Sequence, residues 1–289
     1  MMPRLRRTIA SLFVALLALG GAFAQDSSES VSYVQARGFN VPVLEGWSDQ
    51  TTEAVAQFHL AEAEATIRTA LVAGADPLAA AQSDLADWLG KAVGPSVYSD
   101  KVNLADGTWH TLIFDIDTTT TASVMARQDD AHVIVISFVE RAPEARTVLL
   151  TLAQADDRLD DAAPEIGRAL QQIADVELGS LDDKGIIELP SGEWQVYERG
   201  GLSAMGMIFG NDSYVALQEG APGGLAALAD AYNRTLLGFF ITPDNSLYLA
   251  LGLIATFGIL GLLILSYVWR GRAAQQDLVL LNALSDEDD

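Results

Sequence analysis

The chain has 289 residues, a net charge of −22 and no cysteine. The missing cysteine excludes disulfide staples, thiolate metal sites, a cysteine nucleophile and a lipid-modified cysteine at a signal cleavage point. Residues 25–246 carry 12 Lys or Arg against 34 Asp or Glu, and the whole chain has three lysines. A phosphate backbone needs basic side chains to displace its counterions, so this composition argues against a nucleic-acid binder.

The first 24 residues read as a signal peptide. Arg4, Arg6 and Arg7 precede an apolar stretch from Ile9 to Leu19, and Ala22, Phe23 and Ala24 form an A-x-A cleavage site. An uncleaved N-terminal anchor is the alternative, although 11 apolar residues are short for a membrane span. Either way the residues that follow are exported. An exported domain without cysteine fits a bacterial envelope, so the N-x-S/T triplets at Asn211 and Asn233 are chance matches to a glycosylation acceptor.

The exported region opens with strand patterns. Phe39, Val41 and Val43 alternate, with Pro42 arguing for an edge position, a turn at Gly46 and Trp47 follows, and Phe58, Ile67, Thr69 and Leu71 supply two further runs. Asp76 and Pro77 read as the N-cap and first turn of a helix carrying Leu78, Ala81, Leu85, Trp88, Leu89 and Ala92, which Gly94-Pro95 stops. Three strands are expected at 109–114, 122–127 and 132–139. Pro143 is expected to open a second helix carrying Val148, Leu149 and Leu152.

A weaker copy of this order follows. Leu104-Ala-Asp-Gly-Thr-Trp109 returns 85 residues later as Leu189-Pro-Ser-Gly-Glu-Trp194. Ala122-Ser-Val-Met125 returns after 82 residues as Ala204-Met-Gly-Met207, and Glu140-Arg-Ala-Pro143 after 79 as Glu219-Gly-Ala-Pro222. Such shrinking offsets are what small loop deletions within a duplicated module produce. The second copy has a leading helix around Ile166, Leu170 and Ile173 and a closing one with Leu225, Leu228, Tyr232 and Leu236. It lacks a match to the earliest strands, so its sheet is expected to be shorter. Asp156, Asp157, Asp160 and Asp161 mark the boundary between the copies.

The final apolar run opens on Leu247 and closes on Trp269 without a charge, and Arg270 and Arg272 follow at once. At about 1.5 Å of rise per residue it crosses a hydrocarbon core of roughly 30 Å. The arginines place its C-terminal end in the cytoplasm, and Tyr248, Tyr267 and Trp269 read as interfacial anchors. Gly252, Gly258 and Gly261 form no G-x-x-x-G seam. The tail, with Leu278, Val279, Leu280, Leu281 and Leu284 before a terminal acidic run, is too short for a domain but long enough to dock on a partner.

The stretch Phe39-Asn-Val-Pro-Val-Leu-Glu-Gly-Trp47, the strands after it and the repeated Leu-x-x-Gly-x-Trp element resemble the non-catalytic N-terminal region found ahead of the catalytic domain in some secreted bacterial beta-lactamase-type serine hydrolases. The element order is also similar to small PsbP-like or Mog1-like folds. The resemblance covers about residues 33 to 240 and implies a tandem of α/β modules without the hydrolase.

Catalytic chemistry finds little support. Hydrolases of that type need Ser-x-x-Lys, and the nearest match, Ser99-Asp-Lys101, is one residue short and expected in a loop. No Gly-x-Ser-x-Gly elbow occurs. His59, His110 and His132 lie singly in expected strands, without metal-ligand spacing. Asp115 and Asp117 share a strand face that suits paired carboxylates or a hard cation, but a solvated face explains them as well, with Thr118 to Thr121 as strand or turn filler. Trp47, Trp88, Trp109 and Trp194 could form a ligand shelf, yet their positions point to core packing.

The sequence therefore predicts an α+β protein of two tandem PsbP/Mog1-like units followed by one transmembrane helix. The divisions are a signal peptide (1–24), a first exported unit (25–157), a second, shorter one (158–245), the span (246–269) and an acidic cytoplasmic tail (270–289). The expected function is a non-enzymatic, single-pass binding or scaffold module at the outer face of the cytoplasmic membrane. The alternative is an accessory subunit of a separately encoded envelope serine hydrolase or peptidase. No catalytic, cofactor or metal residue is assigned and no cofactor is expected; the partners expected are the membrane and an envelope protein.

Overall fold

The computed structural model describes residues 31–285 apart from 105, 143, 154–160, 221–223 and 242–245. The signal peptide and three of the boundary acids, Asp156, Asp157 and Asp160, lie outside the described residues. The protein is mixed α and β with antiparallel sheets. The described residues through Phe239 form one compact body, and those from Phe240 onward form a second.

The first body opens with a hairpin, β1 (Tyr33–Ala36) and β2 (Phe39–Pro42). A seven-stranded sheet follows, built from β3 (Ser48–Asp49), β4 (Val55–Leu60), β5 (Ala65–Ala73), β6 (Tyr98–Leu104), β7 (Gly107–Asp115), β8 (Thr121–Asp129) and β9 (His132–Glu140). Its order is β3-β4-β5-β9-β8-β7-β6, and every pairing is antiparallel. Helix α1 (Pro77–Leu89) starts where expected, with the Asp76 carboxylate accepting the amide of Leu78, but it ends early: Gly90, in the left-handed region, closes it before Ala92 and the expected stop at Gly94-Pro95. Ala81 and Leu85 pack it on Leu112, Val124, Val133 and Val135.

A second, five-stranded sheet comprises β10 (Ala145–Ala153), β11 (Asp182–Leu189), β12 (Gly192–Arg199), β13 (Leu202–Phe209) and β14 (Asp212–Gly220), in the order β10-β14-β13-β12-β11. Helix α2 (Ala163–Ile173) packs Ile166 and Leu170 against Val148, Val215 and Leu217. It lies close because Gly206 has no side chain: a Cβ there would stand 2.6 Å from Ile166 Cγ1. Helix α3 (Leu225–Gly238) packs on β14 and β10, and its Tyr232 ring meets Phe138 of the first sheet edge-on at 6.2 Å. Because α1 covers one face of the first sheet while the second sheet and α3 pack on the other, β8 and β9 are buried over seven and eight of their nine residues.

The two sheets share one connectivity. A strand (β5 or β10) leads into a helix (α1 or α2), and a four-stranded meander returns to pair its last strand with the first. Burial follows the same positions: Ala81 and Leu85 of α1 correspond to Ile166 and Leu170 of α2, each 85 residues on. Trp109 and Trp194 are each the third residue of their strand, after Gly107 (φ 137°) and Gly192 (φ 139°). Each indole donates its N–H to the side chain three residues earlier, Asp106 at 2.8 Å and Ser191 at 3.0 Å.

Several expectations change. Residues 145–153 form strand β10 rather than a helix, and that strand belongs to the second sheet, as the partner of β14. It is the counterpart of β5 that the sequence did not supply for the second copy. The Ser99 and Lys101 segment is strand β6, not a loop. The second sheet is the shorter one, with five strands against seven.

In the second body, α4 runs from Ser246 to Ser285, 40 residues and thus about 60 Å long. Its segment Leu253–Arg272 is long and apolar enough to cross a membrane. The helix continues beyond Arg272, so most of the expected tail is helical.

Candidate functional site

The residues singled out by sequence do not assemble into one centre. Asp115 ends β7 and pairs with Arg146 at 3.0 Å, whereas Asp117 sits in the following turn, paired with Lys91 at 2.8 Å. Asp117 also accepts the amides of Thr119 and Thr120, and these bonds with Lys91 hold its carboxyl well below the usual range. The two acids thus serve separate cations instead of sharing one. Thr120 and Thr121 are buried, and Thr121 accepts from Arg146 Nε at 3.0 Å.

His59 bonds Thr66 Oγ1 through Nδ1 at 3.1 Å, and His132 is exposed at the start of β9. His110 stands opposite Lys101 on the β6–β7 ladder, with Ser99 two residues away on the same face. Burial first, and then Lys101, lowers the His110 pKa. No hydrogen bond joins Ser99, Lys101 and His110 among the described residues. Nor does any group of three or more His, Asp or Glu among them have the arrangement of a metal site. Trp109 and Trp194 are fully buried in core positions, while Trp47 and Trp88 are half-buried, with the Arg68 guanidinium 5.6 Å from the Trp88 ring centre.

Two of the recesses formed by the described residues of the first body are large enough for a ligand. One, of about 500 Å³, lies beside β4 and α1 and is lined by Gln50, Gln57, His59, Glu64, Thr66, Trp88 and Arg141. Most of its polar groups are engaged with one another: Gln57 donates to Gln50 at 2.7 Å, and His59 is tied to Thr66. The other, of about 480 Å³, opens on the second sheet where α2 begins. Its floor is Gln195, Gly206 and Ile208, and its walls include Asp161, Ile186, Glu193 and Phe209. The Asp161 carboxylate accepts the amide of Ala163 at 2.8 Å.

The second recess borders a free sheet edge. Strand β11 is terminal in its sheet and exposed along nearly its whole length. The ladder sets Glu188 directly opposite Glu193, and neither carboxylate has an ion pair among the described residues. Ile186 is 67% exposed and Phe209 56%. No protein-family model matches this chain, and no curated protein does. The function must therefore be argued from the geometry.

Sequence reading passed over this edge. Strand β11 carries Asp182, Asp183, Lys184 and Gly185 in its first half, with a bulge between Asp183 and Gly185, so it does not read as a strand. The available signal was Leu189-Pro-Ser-Gly192: a tight turn there puts Glu188 and Glu193 across from one another.

Proposed function

We propose that the protein is a single-pass, membrane-anchored binding or scaffold module. Its large body lies outside the cytoplasmic membrane and the end of α4 lies inside. The observation that carries this reading is the helix itself: Leu253–Arg272 is long and apolar enough to span. Arg270 and Arg272 on its C-terminal side support the orientation. A binding role is supported by the two recesses on the first body, and a non-enzymatic one by the separate engagements of Asp115, Asp117 and His59.

The same proposal includes an internal duplication into two PsbP- or Mog1-like units. It is supported by the shared strand order, by the corresponding burial on α1 and α2, and by the matched indole bonds of Trp109 and Trp194.

Protease added to spheroplasts tests the topology. The body before Ser246 is digested, while an epitope placed after Asp289 survives until the membrane is opened. Protection of the large body in intact spheroplasts overturns the reading.

A further inference from the structure

We propose that the β11 edge and the recess beside it receive an extended, basic and apolar segment of a protein partner, added to the second sheet as a further strand. The inference rests on the binding-module reading and names the partner's chemistry.

Three observations converge on this edge. First, β11 has a free side: among the described residues it pairs with β12 alone and is exposed, whereas the opposite edge of the sheet, β10, is buried against the first sheet. An unpaired row of backbone N–H and C=O groups is a template for strand addition, and main-chain bonds then supply affinity while side-chain pockets supply selectivity. The bulge at Asp183 and Gly185 interrupts the first half of the strand, so the usable edge is the Ile186 to Leu189 half.

Second, the recess beside that half has exposed apolar walls. Ile186 and Phe209 are large and more than half exposed. Alternate side chains of an added strand would project over Ile186 and the recess.

Third, the charge is one-sided. Asp161, Asp182, Asp183, Glu188 and Glu193 surround the edge, and Lys184 is the cation of β11, drawn to Asp182 at 3.7 Å. Glutamates directly opposite one another destabilise a ladder, and a lysine at either position would serve the fold better. A basic strand laid beside them relieves that repulsion. The same charges disfavour a second copy of this chain, whose edge would bring five more carboxylates.

The test uses the full chain in nanodiscs of uncharged phosphatidylcholine and a fluorescent peptide, acetyl-Lys-Val-Lys-Ile-Lys-Val-amide, read by anisotropy with empty nanodiscs subtracted. Saturable binding is expected, weakened about tenfold or more by Glu188→Lys with Glu193→Lys and by raising salt from 0.05 to 0.5 M. Methylating alternate peptide nitrogens, which keeps the charge but removes strand pairing, should abolish it. Glu188→Lys alone should raise the melting temperature while it weakens binding, which separates lost recognition from lost folding. The proposal is overturned by no saturable binding up to 1 mM, by equal binding of the methylated peptide, by equal binding of the Glu-Val-Glu-Ile-Glu-Val analogue, or by a dimer that Ile186→Lys dissolves. The nanodisc measurement does not depend on which way the helix spans, so its failure leaves the spheroplast result standing, and the reverse also holds.

Discussion

Exchanging the residues that cover the two buried tryptophans gives a quantitative test of how alike the sheets are. One step beyond the paired positions His110–Ala126 and Gln195–Gly206, the ladders bring Trp109 opposite Arg127 and Trp194 opposite Met207. Both covering side chains reach the glycine that starts the tryptophan's strand: a Cβ on Gly107 would meet Arg127 at 3.2 Å, and one on Gly192 would meet Met207 at 2.6 Å. The Arg127 guanidinium lies 5.1 Å from the Trp109 ring centre, pairs with Asp106 at 3.1 Å and donates to the Asp106 carbonyl. Its Nε is buried without a partner.

Arg127→Met therefore removes a cation–π contact worth about 0.5–2 kcal/mol and an ion pair to a half-exposed acid worth about 0.2–1. It also removes an unbonded buried N–H that costs about 1–3 kcal/mol. It further removes the charged hydrogen bond to the Asp106 carbonyl, worth about 1.5–3 kcal/mol, so the net loss is about 1–3 kcal/mol, or roughly 2–12 °C at about 2–4 °C per kcal/mol for a body of this size. Met207→Arg is not its mirror image. Met207 is 3% exposed and Ser191 stands where Asp106 does, so the guanidinium is buried unpaired, at a cost of about 3–5 kcal/mol or roughly 6–20 °C. Adding Ser191→Asp should recover part of that loss. Thermal unfolding of the full chain, followed by tryptophan fluorescence, reads all three. A Met207→Arg variant that melts no lower than Arg127→Met would refute the reasoning.

Two further predictions concern buried polar groups. Asn233 on α3 is 2% exposed and neither end of its amide is bonded, so Asn233→Leu should stabilise the protein by about 1–3 kcal/mol, seen as a higher melting temperature; a fall would mean that the amide is satisfied by water. Glu140, at the end of β9, is buried, which pushes its pKa up against the opposing hydrogen bonds from Thr147. A folded-state pKa above the unfolded one means the folded protein binds the proton more tightly. The Glu140 contribution is thus fully present below the unfolded value of about 4.3 and is lost as pH rises through the folded value. Glu140→Gln should flatten stability against pH over that interval, and an unchanged slope in denaturant titrations would contradict the assignment.

The sequence located what local chemistry dictates and missed what tertiary packing decides. Asp76-Pro77 starts α1 as expected because N-capping is a local matter, whereas its end was placed at Gly94-Pro95, four residues beyond the Gly90 that closes it; the apolar run of α4 needs only length and composition. Strand β10 was misread because Val148, Leu149 and Leu152 fit a helical stripe; burial on both faces turns a strand into a continuous apolar run that periodicity cannot distinguish. The repeat offsets show how a short motif slips. Counted from the ladders, Ser123 and Met125 fall on Ser203 and Met205, 80 residues on, where the motif suggested 82. A two-residue slip keeps the same face, but the offset of 79 at Glu140 does not. It equates a buried acid with the exposed Glu219, whereas the ladder equates it with Gly220. Neither recess was legible, because each joins residues from several elements that only folding brings together.

The absence of native cysteine makes the anchored, body-outside topology directly measurable. A single cysteine at exposed Glu53 and, separately, one at Asn282 can each be challenged in intact spheroplasts with a membrane-impermeant maleimide. The proposed arrangement predicts that Glu53→Cys is labelled at once and that Asn282→Cys is labelled only after detergent opens the membrane. Immediate labelling of Asn282→Cys with protection of Glu53→Cys, or release of the chain into the soluble fraction, would contradict it.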